Sequence, residues 1–275
     1  MMEQVSDWLS LTGHACAVTG AGGGIGRAIA LNLAKAGARV ALLDRDAAGL
    51  DETRKGIEAV GAQALVAVCD MANVGSIEAA AAGSAETFGP CAVLVNAAAL
   101  LRAGTLQTLT LAEWNTVLSI NLTGYFLASQ IFGRQMRERG GGSIVHVASI
   151  AGSHAQGNSG AYSVSKAGIV MLSRQIATEW GSAGIRSNVV SPGMILTPLS
   201  QSFYDTPGVT ERRGAVIPLG RIGKPQDIAD AVLFLASDRA AYVSGDEITV
   251  DGGYVRQLMN LVPRPGFDDP QPTSS

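Results

Sequence analysis

The chain has 275 residues, of which 47% are hydrophobic and only 16% charged, with 34 glycines and a formal net charge of −3. A chain of this length supports one large domain with a sizeable core. The slightly acidic balance excludes the basic footprint of a nucleic-acid binder, and no apolar run approaches membrane-spanning length, so neither nucleic acid nor membrane is expected as a partner.

At the N-terminus, "MMEQVSDWLSLTG" has no basic leader segment and no long apolar core, which predicts a soluble, cytoplasmic protein without a signal peptide. Short apolar or β-branched runs at 15–19, 40–43, 64–68, 93–95, 144–147, 187–190 and 247–250 read as strands. Between them, helical patterns cover 24–36, 47–60, 74–88, 111–139, 161–182 and 225–236. Strands that are apolar throughout and alternate with helices predict an α/β fold, with a doubly wound parallel sheet covered on both faces. No linker or repeat breaks residues 11–255, so residues 1–255 read as one domain. Residues 197–218 form an irregular excursion suited to a lid over a site. The tail over 256–275 is rich in proline and polar residues, and disorder is its default reading. Cys16, Cys69 and Cys91 lie far apart, and His14, His146 and His154 share no ligand spacing. Buried thiols in a reducing compartment and no metal site are therefore expected.

Three patterns carry chemistry. The first is "VTGAGGGIGRAIA", which follows the first strand and opens a helix. It does not satisfy G-x-G-x-x-G, but spaces its glycines as Gly20-x-x-x-Gly24-x-Gly26, with Ile25 between the last two. Glycines permit a tight turn and close backbone approach, and the helix N-terminus offers free N–H groups to a pyrophosphate. Second, Asp44 ends the second strand, about where a dinucleotide site grips the ribose hydroxyls. A carboxylate there would repel a 2′-phosphate, which favours NAD over NADP; Arg45 beside it pulls the other way, and Asp44 also reads as a solvated strand end. Third, Tyr162 and Lys166 share one helix face. An ordinary phenol has a pKa of about 10, too high for a base near neutrality, and a cation within about 4–6 Å lowers it. Taken alone, the pair reads equally well as a surface aromatic–cation contact.

The glycine loop together with Tyr162-x-x-x-Lys166 resembles the short-chain dehydrogenase/reductase family in its single-domain form, from about residue 11 to 254. The resemblance implies a Rossmann-type, seven-stranded sheet. It implies a catalytic set of Asn121 in "SINLTGYF", Ser149 thirteen residues before Tyr162, Tyr162 itself and Lys166. It also implies a cofactor site of Gly20, Gly24, Ile25, Gly26, Asp44, Arg45, Asp70, Met71, Asn96, Ala98, Tyr162 and Lys166, with Pro192, Gly193, Ile195 and Thr197 at the nicotinamide end. There is one departure. Where the family reads N-N-A-G, this chain reads Asn96-Ala97-Ala98-Ala99, which removes a polar side chain and a position of cheap positive φ and puts the local loop geometry in doubt.

On this reading Tyr162 exchanges a proton with the substrate hydroxyl, Ser149 holds the reacting oxygen and Asn121 holds a water that passes the proton on. Ser149, Ala151, Ser153, His154, Gln156, Tyr162, Gly193, Met194 and the region 199–204 are expected to line a pocket that mixes apolar and hydrogen-bonding groups. The expected activity is NAD-dependent hydride transfer with a secondary alcohol or ketone of alcohol, polyol or sugar type. An NADPH-dependent 3-oxoacyl-(acyl carrier protein) reductase is the first alternative, and a non-catalytic nucleotide-binding protein the second. The family also implies a homotetramer paired through the two longest helices, 111–139 and 161–182.

Overall fold

The computed structural model describes residues 8–262. Seven parallel strands form one sheet: β1 (Ala15–Thr19), β2 (Arg39–Asp44), β3 (Ala64–Val68), β4 (Val93–Asn96), β5 (Gly142–Val147), β6 (Ile185–Pro192) and β7 (Glu247–Val250), in the order β3-β2-β1-β4-β5-β6-β7. Every residue of β1 and β4 is buried, as expected for strands covered on both sides. Alternate side chains of β1 enter different cores, Cys16 and Val18 one and Ala17 the other.

On the first face pack α1 (Gly24–Lys35), α2 (Ala47–Glu58) and α9 (Pro225–Ala236), which contribute Ile29, Leu33, Leu50, Ile57, Ile228 and Val232. On the second lie α3 (Val74–Phe88), α5 (Gly124–Arg139) and α7 (Tyr162–Trp180), with Ile77, Phe132, Met136 and Ile176 among their buried residues. Fully burying one such side chain contributes about 1.5–3 kcal/mol, so these two apolar layers hold the sheet rigid between them.

Several expectations are refined. The helix read over 111–139 is interrupted: α4 (Leu111–Leu118) passes into a π turn, Ser119–Thr123, before α5 begins. There Gly124 N–H bonds to the Ser119 carbonyl, five residues back, so the turn is wider than α. The helix read over 161–182 ends at Trp180 and tightens into a 3₁₀ turn. Two short helices escaped the reading: α6 (Ile150–Ser153), just after β5, and α8 (Val209–Ala215), inside the excursion over 197–218. The start of the tail does not depart into solvent, because Gln257 Nε2 donates to the Val216 carbonyl. Residues 263–275, the rest of that tail, lie outside the described residues. Among the described residues no helix is long and apolar enough to cross a membrane, and no cluster of His, Cys, Asp or Glu could hold a metal. The three cysteines are buried and free.

Sheet order reverses between β1 and β4. Register aligns Thr19 with Asn96 and Asn96 with His146, so the carboxyl ends of β1, β4 and β5 form one rim. In an open parallel sheet the crevice outside that rim is where a ligand fits.

Candidate active site

A cleft of about 1740 Å³ opens at this rim. Its first wall is the turn from β1 into α1. Gly20 has φ +71°, and a Cβ there would stand 2.7 Å from Ala98 N, so the loop closes directly on the β4 turn. A Cβ on Gly26 would stand 2.1 Å from the Gly20 carbonyl oxygen. The spacing that misses the commoner fingerprint thus makes the same tight turn, with α1 starting at Gly24 and its first N–H groups at the cleft.

The family-divergent turn after β4 is held without strain. Thr19 Oγ1 accepts from Ala97 N (3.0 Å) and Ala98 N (3.2 Å). Ser10 and Asn158 are the non-glycine residues at positive φ among the described residues, so Ala99 needs no glycine conformation. Asn96, expected at the cofactor, stands behind this wall instead. It is fully buried, and its Nδ2 reaches Ser129 Oγ and His146 Nδ1, each at 3.3 Å.

At the other end of the glycine loop, Asp44 Oδ2 accepts from Gly22 N at 3.0 Å and its Oδ1 accepts from Asp46 N at 3.1 Å. Asp44, Arg45, Asp70 and Met71 all line the cleft. Loop glycines that a Cβ would fill, helix N–H groups and a strand-end carboxylate fit a dinucleotide.

The residues expected to handle the proton lie at the end of β5, at the start of α6 and on α7. Ser149 caps α6, its Oγ accepting from Ala151 N at 3.1 Å. Tyr162 opens α7, and Lys166, one turn on, is 1% exposed. Lys166 Nζ donates to the Val147 carbonyl at 2.9 Å and lies 5.5 Å from the centre of the Tyr162 ring. On its other side is Tyr125, whose ring centre is 5.4 Å away and whose hydroxyl donates to the same carbonyl at 3.2 Å. The lysine was expected to lower the phenol's pKa. In the structure burial raises Tyr162 above its ordinary value, opposed by a hydrogen bond with the Ser149 side chain. Desolvation also brings Lys166 itself down to about 7. The same low-polarity surroundings disfavour both charged forms.

Asn121 sits in the π turn and is fully buried. Its Oδ1 accepts from Leu100 N (2.8 Å), and its Nδ2 donates to the Leu100 carbonyl (3.0 Å) and to Ser165 Oγ (3.1 Å). The amide ties the β4 turn to α7. Gly20, Gly24, Ile25, Gly26, Ala98, Ser149, Ala151, His154, Gln156, Tyr162, Lys166, Pro192, Gly193, Met194, Ile195 and Thr197 do line the cleft. Sequence reasoning placed the 199–204 region, with Tyr204, at the pocket but missed Arg212 and Arg213 of α8 and Tyr254 and Gln257 beyond β7, which also line it. No motif marks these positions; they arrive through packing alone.

A glycine-lined helix terminus at a sheet switch point, facing a buried tyrosine–lysine pair across one cleft, defines a dinucleotide-dependent oxidoreductase. Comparison with known proteins gives the family. A family model described as enoyl-(acyl carrier protein) reductase matches residues 20–255. D-threitol dehydrogenase of Mycolicibacterium smegmatis is 41% identical over 244 residues, covering 89% of this chain and 94% of that one. Galactitol 2-dehydrogenase (L-tagatose-forming) of Cereibacter sphaeroides is 39% identical over 246 residues, covering 89% and 96%. A solved Agrobacterium tumefaciens structure with bound NADP superimposes with a TM-score of 0.83 at 32% identity, covering 90% of this chain and 98% of that one. The chain belongs to the short-chain dehydrogenase/reductase family and is an NAD(P)-dependent oxidoreductase acting on CH–OH groups.

Proposed function

We propose that this protein uses NAD to oxidise a secondary alcohol of polyol or sugar type to the ketone, and runs the reverse reduction. The observation that carries the proposal is that Tyr162, Ser149 and Lys166 line the same cleft as the glycine loop and Asp44. The loop Gly20–Gly26 and the N-terminus of α1 would hold the pyrophosphate, and Asp44 the adenosine ribose, with Arg45 beside it. Asp70 and Met71 would meet the adenine, Lys166 the other ribose, and Pro192, Gly193, Ile195 and Thr197 the nicotinamide. Bound there, the cofactor supplies a hydride acceptor, chemistry no side chain provides.

The chain's own residues handle the proton and the substrate oxygen. Ser149 Oγ donates to that oxygen and orients it beside the phenol. Tyr162 takes the hydroxyl proton during oxidation and returns it during reduction. Lys166, when charged, would place a cation 5.5 Å from the centre of the phenol ring, and the Ser149 hydrogen bond opposes the burial that raises Tyr162. Asn121 is a positioning residue that acts through Leu100 and Ser165.

Asp44 supports NAD over NADP because a carboxylate at the ribose repels a 2′-phosphate. That choice also weighs against the acyl-carrier-protein reductase reading, which requires NADPH. The same reading includes a cytoplasmic homotetramer. Leu111 of α4, Phe126 of α5 and Val164 and Met171 of α7 are exposed apolar residues on the three helices that span the two stretches expected to pair. Formation of reduced nicotinamide, followed by absorbance with NAD or NADP across a panel of polyols and secondary alcohols, tests the function. Turnover with NAD is expected; turnover confined to NADPH and 3-oxoacyl thioesters would replace the proposal with the carrier-protein reading.

A further inference from the structure

The carboxylates along the cleft are confined to one end. Asp44, Asp46, Glu52 and Asp70 line it where β2, α2 and β3 meet, the end assigned to the adenosine, together with Arg45 and with Arg27, which pairs with Glu52 at 2.9 Å. Beyond Ser149, Tyr162 and Lys166, the lining residues that can carry positive charge are His154, Arg212 and Arg213, with Tyr204 and Tyr254 beside them. Among the described residues no carboxylate lines that end. Glu247, behind the α6 turn, is engaged by Ser153 Oγ (3.2 Å) and Ser191 Oγ (2.7 Å) and does not line the cleft.

Arg213 is built into the lid in a particular way. It is half-buried on α8, and its guanidinium lies 4.8 Å from the centre of the Tyr204 ring and 5.3 Å from that of Phe203. Tyr204 is itself only 8% exposed. Stacking on aromatic faces restrains a guanidinium while leaving its in-plane N–H donors unused. Among the described residues Arg213 makes no ion pair and no hydrogen bond. Arg54 and Arg221, by contrast, are engaged by carboxylates. A partly desolvated guanidinium with free, oriented donors at the edge of a cleft is suited to bidentate capture of a carboxylate or phosphate.

We propose that the alcohol oxidised here carries an anionic group, a carboxylate or a phosphate ester, which Arg213 binds at the lid end of the cleft while the carbinol meets Ser149 and Tyr162. Arg212, adjacent and exposed, adds to the field that draws such a substrate in. This rests on the reading of the cleft as an alcohol-oxidising site. It narrows the substrate from polyols in general to hydroxy acids or phosphorylated polyols. It also gives α8 a function that no sequence motif announces.

The test pairs each polyol with its acidic counterpart on the full-length protein loaded with NAD: threitol with threonate, galactitol with galactonate, and sorbitol with sorbitol 6-phosphate. Both dissociation constants, by calorimetry, and kcat/KM are measured. Binding is read separately because Tyr162→Phe, which should abolish turnover, must leave the acid-to-neutral binding ratio intact if this inference is right. In at least one pair the anion should be favoured by about tenfold or more, the least expected of a charge-assisted hydrogen bond. Whether the carboxylates or the phosphate win identifies the group. Arg213→Met should bring that ratio down toward one, Arg213→Lys should keep part of it, and Arg134→Met, on the outer surface of α5, should leave it unchanged. If the neutral member binds as well in every pair, or if the ratio survives Arg213→Met, the inference is overturned even where the alcohol is still oxidised. Anion-selective binding without any turnover would instead uphold this inference and remove the proposed activity.

Discussion

Lys166 stands 5.5 Å from the centre of the Tyr162 ring while its Nζ donates, at 2.9 Å, to the Val147 carbonyl at the end of β5. The lysine is therefore anchored by β5 and presented to the phenol by α7. Surface pairs at this helical spacing lack such an anchor. If Tyr162 is the proton-transfer group, Tyr162→Phe keeps the packing and the fold but removes the exchangeable proton. Turnover should fall by roughly 10²–10⁴-fold, the usual contribution of a general acid–base group, while NAD binding stays within a few-fold of wild type. Single-turnover rates and a fluorescence titration with NADH check both halves.

The pH dependence of oxidation reports the same pair. The rate should rise with pH as Tyr162 loses its proton, and burial places that step above the ordinary phenol range in the protein alone. Lys166 is itself brought down to about 7, so Lys166→Met should raise the midpoint only if the ribose of the bound cofactor holds the lysine charged. A midpoint that does not move would show that the lysine exerts no field on the phenol.

The glycine loop makes contrasting demands on its residues. Gly26→Ala places a methyl 2.1 Å from the Gly20 carbonyl, a backbone atom that cannot swing aside. It should cost about 1–3 kcal/mol, as overpacking does, and should weaken dinucleotide binding sharply. A Cβ on Gly23 meets nothing within 4 Å, and its φ of −168° is open to any residue. Gly23→Ala should therefore leave the thermal midpoint near wild type. Calorimetric melting of the two variants separates the demands of the fold from simple glycine content.

His146 sets an acid limit on stability. It is fully buried, stacked on Tyr125 at 5.9 Å, and burial together with the Lys166 charge holds it at about 3 against an ordinary 6.5. Between those values the unfolded chain binds a proton that the native state refuses, so stability falls as pH drops from 6.5 toward 3. The full loss is on the order of 5 kcal/mol, from the pKa difference at about 1.4 kcal/mol per unit. His146→Asn should flatten the dependence of the melting temperature on pH across that window.

Cofactor choice should turn on Asp44. Asp44→Ala removes the carboxylate that accepts from Gly22 N and leaves Arg45 free to meet a 2′-phosphate. The kcat/KM ratio for NAD over NADP should fall by about tenfold or more, as the loss of a charge-assisted hydrogen bond implies. An unchanged ratio would move the cofactor determinant elsewhere in the cleft.

Local chemistry made the frame and the reacting groups readable from the chain. Continuous apolar runs mark β1 and β4 because both their faces are covered, and the glycines mark the turn because Gly20 and Gly26 lie against backbone that a Cβ would strike and Gly24 takes a φ of +52°. Tyr162 and Lys166 were visible as a pair because a helix stacks residues four apart. Environment and distant contact were decided by the tertiary structure. Burial raised the phenol that the lysine alone was expected to lower. Asn121 and Asn96 turned inward because Leu100, Ser165, Ser129 and His146 offered them partners that no spacing predicts. Arg213 reached the cleft only because α8 folds back over it and two rings hold the guanidinium. A one-dimensional pattern records which groups a residue carries, whereas desolvation and long-range pairing depend on what the fold places around them.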